Sequence, residues 1–163
     1  EDDTDKCRYG LEIFISSLLE TLLFFAAFIP LRVYAGGYHA DTQIKCYMVS
    51  LGVYGLFTIL MRIMPTSWYT IIIYISIAMS LIIVLMLAPV RHTNKTLTPQ
   101  ETKIYREISV VICTVEAIIA LFGSIIFERN TWIVAFALGL SAETLSMIAA
   151  VIKKAVKHKK RLM

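Results

Sequence analysis

Residues 68–90 read WYTIIIYISIAMSLIIVLMLAPV, a run without one Asp, Glu, Lys or Arg. A helix needs about 20 mostly apolar residues to cross the hydrocarbon of a bilayer, and this run supplies them with nothing more polar than hydroxyl groups. In lipid every backbone N–H and C=O must be paired inside the protein, so only a helix or a closed barrel can cross. The run lacks the alternation of a barrel strand and reads as a transmembrane helix. Trp68 and Tyr69 stand at its start, where amphipathic rings favour the membrane interface.

Four further stretches of this kind flank it. One covers about 11–31 and is expected to end at Pro30. A short one covers about 46–64, with Arg62 near its end. The others cover about 108–127 and 131–152, the last with Trp132 at its start. The expected fold is therefore all-α, a polytopic transmembrane bundle of about five spans. Composition agrees: 58% of the 163 residues are hydrophobic and 17% are charged, against roughly a quarter charged in soluble domains. So few polar groups cannot cover that much apolar surface in water. The start, EDDTDKCRYG, is acidic and is no signal peptide. Cys7, Cys46 and Cys113 form no CxxC pair, which argues against a disulfide framework or a zinc ribbon.

Twelve of the sixteen Lys and Arg fall in three regions: 32–45, 91–106 and the tail KKAVKHKKRLM. Five spans put all three on one side, which the positive-inside rule makes the cytoplasm. The positive charge is then topological, with no sign of a nucleic-acid face.

Segment 32–50, RVYAGGYHADTQIKCYMVS, carries the chemistry. A nucleophilic cysteine needs a thiolate with a base in reach. On one straight helix His39 and Cys46 would be about 10 Å apart, too far for a hydrogen bond. Gly36 and Gly37 permit the chain to bend, and Asp41 is a reasonable N-cap for a following helix. Cys46 would then lie early in that helix, where the dipole and Lys45 favour the thiolate. Spacing alone leaves a membrane-facing cysteine and an interfacial histidine as the commoner reading of such a pair.

The segment resembles the signature of the accessory gene regulator B (AgrB) family of membrane peptidases: an Arg, then Gly-Gly-x-His, then Cys seven residues after the His. The matching residues are Arg32, Gly36, Gly37, His39 and Cys46. A second family-like string follows the third span, with Ala88-Pro89-Val90, Asn94-Lys95 and Glu101. The resemblance implies a cysteine endopeptidase that cuts a short AgrD-type precursor peptide at the membrane. Cys46 would be the nucleophile and His39 the general base. The acyl part would stay on Cys46 as a thioester until a cysteine or serine of the peptide closes a thiolactone or lactone ring, a quorum-sensing signal. Family members also carry a few dozen residues ahead of the position of Tyr9-Gly10, so a further N-terminal segment is expected.

Arg32 could hold a peptide carboxylate or a lipid phosphate. Gly36 and Gly37 could admit peptide backbone, expose N–H groups as an oxyanion hole, or act as a plain hinge. Asp41 and Gln43 are the nearby residues that could orient His39. On this reading 1–152 is the transmembrane peptidase domain and 153–163 a basic cytoplasmic tail. The protein would be a multi-pass protein of the cell membrane with its catalytic loop facing the cytoplasm. Its partners are the precursor and the bilayer, and it needs neither cofactor nor metal. Five short helices make a thin bundle around a site that needs shelter from water, which points to a homodimer. The rival is a small transporter using Glu20, Glu116 and Glu143, carboxylates inside spans one, four and five. Cys7, on the far side, and Cys113, in mid-span, are expected to take no part in chemistry.

Overall fold

The computed structural model describes residues 2–37, 43–90, 98–127 and 130–162, with side chains at 17–37, 44, 48, 50–90, 98–127 and 130–156. The described residues form five long helices: α1 (Asp2–Ala35), α2 (Gln43–Ile63), α3 (Tyr69–Leu87), α4 (Pro99–Ile126) and α5 (Thr131–Leu162). A single 3-10 turn, Thr66–Trp68, leads into α3. Four stretches are long and apolar enough to cross a membrane: Ser17–Ala35, Thr66–Leu87, Pro99–Ile126 and Thr131–Val156. The described apolar part of α2, Ser50–Ile63, is shorter. The fold is thus the expected polytopic helical bundle of about five helices.

The bundle is apolar outside as well as inside. Ile71, Ile75, Ile82 and Met86 of α3, and Val111, Val115, Ile119 and Phe122 of α4, are all exposed. Water would penalise such a surface, whereas lipid leaves it unopposed. Trp68 and Trp132 are exposed at the starts of α3 and α5, where aromatic belts lie. Local signals set the helix starts. Thr98 accepts from the Glu101 N–H while the Glu101 carboxylate accepts from the Thr98 N–H, a capping box with Pro99 at the first helical position. The Asn130 side chain accepts from the Trp132 N–H at 2.8 Å.

α5 is the hub, touching each of the other four helices. Against α1 it presents small residues. A Cβ on Gly139 would run into the Phe24 carbonyl oxygen and come within 3.1 Å of the Ala27 Cβ. Small residues let helices approach closely, the usual basis of packing in lipid. The buried face of α1 is Phe24, Ala27, Leu31 and Ala35, one stripe at helical spacing. That stripe corrects one expectation: Pro30 lies inside α1, which continues to Ala35. Proline removes one backbone bond, but Leu31 and Ala35 are fully buried, and tertiary packing holds the last turn. The extension matters because it carries Arg32.

Candidate functional site

α1 stops at glycine. Gly36 has φ +71°, a left-handed conformation that side chains resist. Space forbids a side chain too, since a Cβ there would lie 2.6 Å from the Val90 carbonyl oxygen. The Val90 N–H donates to the Ala35 carbonyl at 2.8 Å. The chain therefore joins the two strings singled out in the sequence: the Gly-Gly turn after α1 rests on the Ala88-Pro89-Val90 end of α3.

Gly37 is buried against a polar cluster. A Cβ on it would fall 2.7 Å from Glu143 Oε1 and 2.7 Å from Ser146 Oγ, and would collide with Arg32 Nη1. Arg32 contacts both of the others. Arg32 Nη1 donates to Glu143 Oε2 at 3.3 Å and also to Ser146 Oγ. Its guanidinium lies 5.7 Å from the centroid of the Phe28 ring. The carboxylate that Arg32 binds is thus the protein's own. Helical spacing puts Glu143 and Ser146 on one face of α5, three residues apart.

Beside this cluster a cavity of about 440 Å³ lies between α1, α2 and α5. Its walls are apolar, with Phe28, Val53, Leu56 and Phe57 among them, and Arg32, Ser50 and Ser146 supply its polar edge. Cavities of this size hold a few side chains of a peptide or a small organic ligand. Ser50, Val53 and Phe57 follow one stripe of α2, and the register of that stripe continues one turn back to position 46.

Cys46 is the fourth residue of α2, the early position expected for it, and Gln43 is the first. The side chains of both lie outside the described residues, as do His39 and Asp41 altogether. Of the expected site residues, the structure brings together Arg32, Gly36 and Gly37. It adds Val90, Glu143 and Ser146, which motif reading did not connect to them. Glu143 had one signal, a carboxylate inside a span.

The three intramembrane glutamates differ. Glu20 of α1 pairs with Arg62 of α2 at 3.3 Å, and Glu143 with Arg32 at the same distance. Two of the three carboxylates behind the transport reading are therefore counter-ions that tie helices together. Glu116 is buried, and its Oε2 has no hydrogen-bond partner. Cys113 is buried in α4. Among the described residues no group of three His, Cys, Asp or Glu could hold a metal ion.

Among known proteins, the family model described as accessory gene regulator B matches residues 7–148, most of the chain. No curated protein and no solved structure matches it.

Proposed function

Since the chain belongs to the accessory gene regulator B family, we propose that it is a membrane cysteine endopeptidase that cuts an AgrD-type precursor and closes its acyl part into a thiolactone or lactone. The observation that carries this reading is the setting of the signature segment. Its Gly-Gly turn is fixed between Val90 and the Arg32–Glu143–Ser146 cluster. That turn stands beside an apolar cavity whose α2 wall leads to the Cys46 position.

The chemistry follows from the residue types. The Cys46 thiolate attacks the scissile carbonyl, and the C–N bond breaks as His39 gives its proton to the leaving amine. The acyl part is then held as a thioester. A thiol of the peptide loses its proton to His39, attacks that thioester and regenerates the Cys46 thiolate. Exchange of one thioester for another is near zero in free energy. Ring closure opposes it by a few kcal/mol, on the order expected for a short loop, and loss of the cut tail draws it forward. An apolar cavity keeps water from the acyl-enzyme. The cation-rich face, with the segment that carries His39, is assigned to the cytoplasm. Cysteines placed at Thr42 and Lys159 in a cysteine-free background should resist a membrane-impermeant maleimide added to intact cells. Strong labelling from outside would reverse the orientation.

The test of the activity uses the protein in liposomes with a precursor peptide. Cys46→Ala and His39→Ala should each lower cutting by about 1,000-fold or more, whereas Cys7→Ala and Cys113→Ala should retain it. A precursor whose internal Cys is replaced by Ala should leave a peptide adduct on Cys46, seen by intact-protein mass and released by neutral hydroxylamine. Continued cutting by Cys46→Ala, with no adduct on the wild type, would remove the proposal.

A further inference from the structure

The cavity between α1, α2 and α5 has a shape that thioester chemistry alone does not require. Its α2 wall runs from Ser50 to Phe57 and its α5 wall from Ala142 to Ala149. Seven residues of helix make each wall about 10 Å deep. Arg32, Ser50 and Ser146 stand at the end where α1 stops and α2 starts. Phe28, Phe57 and Ala142 stand at the other end. There the buried Phe24 packs against both rings, its centroid 6.0 Å from that of Phe28 and 6.2 Å from that of Phe57. The floor is therefore closed. Leu56 and Leu145 line the cavity and are also exposed. Its mouth opens sideways, between α2 and α5, into the apolar layer.

Two kinds of occupant could enter from that layer. A lipid tail follows its leaflet to the midplane, about 15 Å for half of the hydrocarbon core, and the floor would stop it about 10 Å down. A lipid phosphate also seeks an exposed cation, yet the Arg32 side chain is 14% exposed and bonded to Glu143 and Ser146. Peptide side chains suit both features. They are short and blunt, and about 440 Å³ holds a few of them. The peptide backbone stays at the mouth, where the Ser50 hydroxyl can donate to a carbonyl. Ala142 and Ala149 leave the room on the α5 side.

We propose that this cavity is a specificity pocket that receives apolar side chains of the precursor peptide sideways from the bilayer. Phe57 is its floor, and Val53, Ala142 and Ala149 set its width. The proposal rests on the reading of the chain as a peptidase for an AgrD-type precursor. Such a pocket selects by volume, and a mismatch of one methylene is worth about 10–200-fold.

Two measurements on the full chain in liposomes test it. The first is occupancy. A photoreactive benzophenone side chain replaces Leu56 at the mouth or Ile59, an exposed residue of α2 outside the cavity. The Cys46→Ala chain is used, so that binding is seen without cutting. Illumination should join the precursor to position 56 and leave position 59 joined to lipid. Lipid adducts alone at position 56 would overturn the proposal. The second is selection. Val53→Phe and Ala149→Leu narrow the pocket. Each should raise KM for the native precursor about 10-fold and leave kcat within about twofold. Replacing the precursor's large apolar residues by Ala, one at a time, should give a peptide whose KM is lower with the narrowed chain than with the wild type. Ile59→Phe should leave KM in place. An equal loss for every precursor, with none favoured by the narrowed pocket, would overturn the proposal. Ala149 is exposed, so its variant decides where Val53→Phe does not fold. The two levels separate cleanly. Cutting by Cys46→Ala removes the proposed function, while precursor joined to position 56 keeps the pocket as a peptide site. Cutting that depends on Cys46, with unmoved KM in both narrowed chains, removes the pocket alone.

Discussion

α1 carries an ion pair towards each end of its membrane stretch, and the two are alike in geometry and differ in how far the arginine is covered. Glu20 meets Arg62 of α2 and Arg32 meets Glu143 of α5, both at 3.3 Å. Both carboxylates are buried, but Arg62 keeps 54% of its side chain exposed, whereas Arg32 keeps 14%. An exposed guanidinium is already solvated, so its pairing contributes little. A sealed pair is a different object: each charge is tolerable only because the other is there, and removing one strands its partner. The first pair fastens a helix that packs loosely. The second fixes a turn.

Arg32→Gln should produce the largest effect on stability. It leaves Glu143 uncompensated and should destabilise the protein by about 3–5 kcal/mol, read from the midpoint of SDS-induced unfolding. A midpoint equal to wild type would erase the distinction between the pairs. Next come the glycines of the turn. Gly36→Ala and Gly37→Ala each meet atoms under 3 Å away and should each lose about 1–3 kcal/mol, with loss of precursor cutting. In Gly52→Ala and Gly55→Ala nothing lies within 4 Å of the new Cβ. Helix propensity should there stabilise α2 by up to about 1 kcal/mol. Equal losses at all four glycines would show that the turn is not special. Arg62→Gln should be milder than Arg32→Gln by the same unfolding midpoint, because the guanidinium it removes is half exposed.

The helices were legible because lipid leaves the backbone few choices: a long apolar run has to be a helix. The sequence pattern also announced the early place of Cys46 in α2. It misjudged Pro30, since a local rule about proline could not weigh the burial of Leu31 and Ala35. The motif pointed to Arg32, Gly36 and Gly37 without giving their physical reasons. For Arg32 they lie 111 residues away at Glu143 and 114 away at Ser146, and for Gly36 they lie at Val90. Periodicity tells which face of a helix is buried and is silent on which helix covers it. Glu143 was visible as a buried charge and invisible as a partner, so a transport role was the natural alternative.

The hydrogen bond from Val90 to Ala35 has a consequence for the bilayer itself. It joins the end of α1 to the end of α3, so both connections leave from one face of the membrane. α3 begins at the opposite face, and α2 must carry the chain there. Its 21 residues span roughly 31 Å at 1.5 Å per residue, which suffices. Residues 46–63 of α2 are apolar apart from Ser50, Thr58 and Arg62 and cover roughly 27 Å of a hydrocarbon layer near 30 Å thick. The position of Cys46 therefore falls at the edge of that layer, within reach of a peptide adsorbed on the membrane surface.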